Sequence, residues 1–176
     1  AVLGLHRFSL RQLAGRVAAA RLAQRGMAPS TLLGVEAVAA RATFEALDQN
    51  ALGYLKPIAQ LRSFGRTLAS TIEDLRLGNV EVERLAACGP AGADLETLAR
   101  RYAQELAEVG LSDMATLFRV ATEVIGEKAP VNVPLGVPVV MLDIPVRDSA
   151  TFAFIRALVD RSPQIVATVP TGDDRT

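Results

Sequence analysis

The chain has 176 residues, half of them apolar, with 19 basic and 19 acidic side chains, so a filled core is expected and disorder is not. Cys88 is the sole cysteine and His6 the sole histidine, which excludes a disulfide framework and any thiolate or imidazole metal cluster. With no disulfides and no secretory leader, and with its longest apolar stretch broken by prolines, the expectation is a cytoplasmic protein with no membrane contact.

Residues 1–8, AVLGLHRF, read as a candidate strand running into a loop. Ser9 then suits the N-cap of a helix that Gly26 would stop, with Leu10, Leu13, Val17 and Ala20 on one face. This opening segment is charged unevenly. Arg7, Arg11, Arg16, Arg21 and Arg25 precede the first acidic residue, Glu36. At helical spacing Arg11, Arg21 and Arg25 share a face and Arg16 points elsewhere. Such a local surplus suits a surface that meets phosphate.

Further helices are expected over 31–47 and 63–77, the second carrying the stripe Phe64, Leu68, Ile72 and Leu75. The clearest pattern is DLETLARRYAQELAEVG. In it Leu95, Leu98, Tyr102, Leu106 and Val109 line one side, Asp94 starts the helix and Gly110 ends it. A helix over 113–125 follows, with Ser112 as its expected cap. The proline-rich APVNVPLG then breaks helical continuity. An apolar run (137–142), an amphipathic helix (149–161) and a second apolar run (164–169) read as a parallel strand–helix–strand unit.

The chemistry is narrowed mainly by what is missing. Lys56 and Lys128 are the only lysines, preceded by Leu55 and Glu127 rather than glycine, so no phosphate-binding P-loop is present. A PD-(D/E)XK nuclease needs an acidic residue two positions before its lysine, and Tyr54 and Gly126 stand there. No G-x-S-x-G elbow occurs. Asp143, ending the run VPVVMLD, could hold magnesium at the carboxyl edge of a parallel sheet, or simply close off a strand. Ile144 and Pro145 follow it where a working hydrolase would carry a glutamate, which favours the structural role.

Taken in order, these pieces resemble a known family. SFGRTLASTIEDLRLGNV and DLETLARRYAQELAEVGLSDMATLF resemble the helical insertion of the first helicase domain in UvrD/AddB-type superfamily 1 proteins. VPVVMLDIPVRD is similar to their Walker B strand, and IVATVPTGD to the strand that follows. LHRFSLRQL resembles the motif that enters a helix beside bound single-stranded DNA.

The resemblance implies a predominantly helical α/β fold, with a helical lobe inserted in or appended to part of a parallel P-loop-NTPase-like sheet. It divides the chain into 1–8 (strand and loop), 9–129 (helical lobe) and 130–176 (strand–helix–strand). Asp143 becomes a degenerate Walker B position, and Gly172 and Asp173 a degenerate nucleotide-sensing motif, with Thr176 where a glutamine would fall. No cofactor is expected, neither ATP nor magnesium. DNA contacts fall to His6, Arg7, Phe8, Arg11, Arg21 and Arg25.

The implied function is a non-catalytic DNA-binding or structural module of a double-strand-break-processing protein of the PD-(D/E)XK nuclease family. Its implied partners are single- or double-stranded DNA, the rest of its own chain, or a helicase partner subunit. Net neutrality and scarce lysine point to the alternative, a protein-interaction scaffold without direct DNA contact.

Overall fold

The computed structural model describes residues 4–127 and 133–168. The chain is mostly helical, with two parallel two-stranded sheets among the described residues. It divides into two compact units. One is continuous, Gly26–Ala115, and interrupts the sequence of the other, Ala1–Arg25 with Thr116–Thr176. Helix α1 (Leu10–Gln24) and most of α6 (Met114–Gly126) therefore belong to the same unit as the later strands.

The continuous unit holds β1 (Ala28–Pro29), α2 (Leu32–Asp48), α3 (Lys56–Ala59), α4 (Phe64–Leu77), a 3₁₀ segment (Val82–Cys88), α5 (Pro90–Glu108) and β2 (Leu111–Ser112). Its core is a single aliphatic cluster in which Val38, Leu68, Ile72, Leu98, Tyr102 and Leu106 are buried. The expected stripe on α4 does face this core, with Phe64 and Leu75 at its margin. Two expectations for α5 need correction. The helix begins at Pro90, where the missing N–H costs nothing, and Val109 is exposed because it lies past the last turn. The 3₁₀ segment and α5 approach so closely that a Cβ at Gly92 would lie 1.9 Å from the Leu85 carbonyl oxygen.

Asp94, expected at the start of α5, is buried inside that helix. Its carboxylate accepts from the Gly53 N–H (3.1 and 3.0 Å) and the Leu55 N–H (2.7 Å), tying the 49–55 connection to α5. Asp113 is a second buried anchor. Its fully buried carboxylate meets Arg76 Nε at 2.6 Å. Ser112 does not act as the expected cap of α6, since its hydroxyl is buried without a hydrogen-bond partner. Asp113 stands directly before Met114, the first residue of α6.

The two ends of this unit are fastened together. β1 and β2 pair in parallel, the Ala28 N–H donating to the Gly110 carbonyl (2.8 Å) and the Ser30 N–H to the Ser112 carbonyl (2.9 Å). Gly110 is required here. Its φ is +63°, and a Cβ would sit 2.7 Å from the Gly26 carbonyl oxygen. Having both ends side by side is what an inserted domain needs.

In the other unit, Ser9 caps α1 as expected, in a reciprocal capping box with Gln12 (3.2 and 3.0 Å). The buried face of α1 differs from the expected one: Ala14, Val17, Ala18 and Leu22 are buried, whereas Ala20 is exposed. Its alanine-rich sequence marks no face strongly, so leucine positions were a poor guide. Phe118 of α6 packs on Phe154 of α7 (Ser149–Arg161), ring centroids 5.4 Å apart. Asp148 caps α7 through the Thr151 N–H at 2.7 Å.

Strands β3 (Val139–Leu142) and β4 (Ile165–Thr168) pair in parallel with Val139 opposite Ile165, as expected of the strand–helix–strand segment. The apolar character of 137–142 does not translate into burial. Only Met141 of β3 is buried, while Val140 and Leu142 are exposed. Among the described residues no third strand joins this pair, and residues 4–9 form none. Exposure alternates along β3, as it does on a strand with one covered face, but not along β4.

Candidate nucleic-acid interface

Of the residues singled out in the N-terminal segment, His6 and Phe8 come together just before α1. His6 and Phe8 lie with their rings nearly parallel, 4° between planes and 6.2 Å between centroids. The Arg16 guanidinium sits 4.9 Å from the Phe8 centroid, a cation–π contact. Sequence spacing gave no hint of Arg16, because Phe8 precedes the helix and the helical period does not extend to it. His6 and Phe8 also line an apolar cavity of about 360 Å³, together with Leu13, Met141, Ile144 and Arg161.

The four arginines split into two pairs. Arg7 and Arg11 are exposed, and neither has an acidic partner among the described residues. Arg21 donates to both Glu127 oxygens (3.3 and 2.6 Å), and Arg25 lies 2.8 Å from Glu123. The hydrogen bond to Glu127, with its charge, raises the Arg21 guanidinium further above its ordinary pKa and holds the Glu127 carboxyl below its own. Arg21 and Arg25 thus join α1 to α6, while Arg7 and Arg11 remain open to solvent. Periodicity could not distinguish them, since Glu123 and Glu127 lie about a hundred residues downstream.

Asp143 occupies the end of β3 with φ +46°, in the left-handed region that aspartate tolerates better than most residues. Its N–H donates to Thr168 Oγ1 (3.0 Å), and the Thr168 hydroxyl donates back to Asp143 Oδ1 (3.0 Å). The carboxylate therefore locks the ends of two adjacent strands. Thr168 was missed by the sequence reading, and the parallel register is what delivers it. Gly172, Asp173 and Thr176 lie outside the described residues, as does Lys128. Cys88 is an exposed free thiol at the end of the 3₁₀ segment.

No protein-family model matches the chain, and no curated protein matches it. No group of three or more His, Cys, Asp or Glu side chains converges among the described residues. No helix among them is long and apolar enough to cross a membrane.

Proposed function

We propose that this chain is a helicase-like DNA-binding module of the UvrD/AddB type, which holds single-stranded DNA without hydrolysing ATP. The observation that carries this reading is the ring pair of exposed His6 and half-buried Phe8, flanked by Arg7 and Arg11, two cations with no acidic partner among the described residues. Aromatic rings stack on bases of any sequence, and unpaired arginines neutralise phosphates and release counterions. Arg16 orients the Phe8 ring from within the chain.

The helix between parallel strands β3 and β4 supports a P-loop-NTPase-like ancestry, and the continuous unit Gly26–Ala115 supports an inserted helical lobe. Hydrolysis is not proposed. Ile144 and Pro145 follow Asp143 where a working hydrolase would carry a glutamate, and the Asp143 carboxylate accepts from the Thr168 hydroxyl. Within a double-strand-break-processing protein, such a module would guide DNA toward chemistry performed elsewhere, alongside a nuclease domain or a helicase partner subunit.

Fluorescence titration with a labelled single-stranded oligonucleotide at low and moderate salt tests this reading. Binding is expected to weaken as salt rises and to be unaffected by ATP and magnesium. Negligible binding at both salts would overturn it. A second reading, a protein-interaction scaffold, draws support from an exposed apolar stripe on α2.

A further inference from the structure

Helix α2 is apolar on two faces. Val35, Val38, Ala39, Ala42 and Ala46 are turned into the core. A second stripe, Leu33, Ala37, Ala40 and Phe44, follows the i, i+4, i+7, i+11 spacing and is turned outward. Leu33 is 76% exposed and Phe44 69%, and Leu61 on the connection after α3 is 59% exposed. A helix apolar on both sides calls for a cover on both. A contiguous apolar patch of this kind marks an interaction surface. The stripe forms one wall of an open groove of about 640 Å³, with Leu61 and Arg62 on the opposite wall. At its floor, the start of α4 comes so near that a Cβ on Gly65 would lie 3.3 Å from Ala40 Cβ.

We propose that this surface pairs the chain with a second copy of itself. The stripe is symmetric in size, large–small–small–large, about the midpoint between Val38 and Ala39. Two such helices run antiparallel place Ala37 and Ala40 of each against their counterparts. Leu33 of each then lies beside Phe44 of the other. That self-complementarity is what a two-fold interface demands. The small residues let the backbones approach at the crossing, and the large ones fill the space where the helices diverge.

The charges favour a copy over a nucleic acid. Glu36 is met by Arg66 (3.5 Å) and Arg41 by Glu45 (3.2 Å). Arg62 is left as the one cation lining the groove without an acidic partner among the described residues. A single surplus charge gives little hold on a nucleic acid, which is bound through several cations at once. The chain's zero net charge leaves no general repulsion between copies.

Sedimentation velocity on the intact chain across a wide concentration range provides the test. The expected result is a concentration-dependent species of twice the chain mass. Phe44→Glu, and separately Leu33→Glu, should return it to the mass of one chain with an unchanged helical circular dichroism spectrum. Both residues are exposed, so either variant can carry the test if the other misfolds. Leu142→Glu, on the open face of β3, should leave the dimer intact. A single-chain mass at every concentration would overturn the proposal. So would a dimer that survives both α2 variants, or one that Leu142→Glu abolishes. A chain that stays monomeric while Phe44→Glu weakens oligonucleotide binding would assign the surface to nucleic acid and overturn it equally.

Discussion

The continuous unit Gly26–Ala115 and the strand pair β3–β4 are both written in aliphatic residues, yet they use them differently. In the first, side chains from α2, α4 and α5 bury one another, and two carboxylates deep in the structure fix the connections: Asp94 to the 49–55 segment and Asp113 to α4. In the second, Met141 is covered while Val140, Leu142 and Val166 face outward, and the strand ends are held by one exposed Asp–Thr pair. An apolar run therefore specifies a strand without specifying its cover. The number of neighbours decides burial, and a helical bundle supplies them locally where a sheet must recruit them from elsewhere.

The sharpest way to break this contrast is Asp113→Ala. It strips a buried ion pair of one partner and should destabilise the chain by about 3 kcal/mol or more in urea unfolding. Asp94→Ala should follow at about 2 kcal/mol, the loss of the hydrogen bonds that a buried carboxylate takes from the Gly53 and Leu55 N–H groups. Hydrogen exchange should show α5 amides far better protected than those of β3 and β4. Equal protection of strands and helix would erase the distinction drawn here.

Thr168→Val should cost only about 1 kcal/mol, since the pair it breaks is exposed. Asp143→Gly should cost less than that, because glycine relieves the left-handed backbone while losing the same bond.

The smallest effects are in acid and run in opposite directions. Glu127 is held below its ordinary value by Arg21. Its contribution is present above the usual carboxylate range and is lost as pH falls through the lowered value. Glu127→Gln should remove that part of the acid sensitivity. Glu105, beside Arg41 at 2.8 Å, is raised chiefly by burial. Its ionisation therefore lowers stability as pH rises from the ordinary carboxylate value through the raised one, and Glu105→Gln should flatten that fall.

Much of the fold was legible from residue patterns because its information is local. The Ser9 cap, the Gly26 stop and the stripe on α4 each announce themselves within one or two turns. The β1–β2 pair was invisible, since two residues on either side of a long insertion carry no periodicity. Asp94 looked like a helix start because it is an acidic residue before a leucine-rich run. Only the fold reveals the loop it binds.

The candidate interface was half legible. His6, Phe8 and the arginines stand out by type, but which arginines are free depends on glutamates remote in sequence. Asp143 was recognisable as the end of a strand, while its partner Thr168 emerges from register alone.

The most direct test of the DNA-binding account compares those arginine pairs by the salt dependence of single-stranded DNA binding. Each phosphate contact contributes about −0.7 to the slope of log K against log salt. Replacing Arg7 and Arg11 together by alanine should shallow the slope by about 1.4, whereas replacing Arg21 and Arg25 should leave it unchanged. Equal losses from both pairs, or no loss from Arg7 and Arg11, would contradict the account.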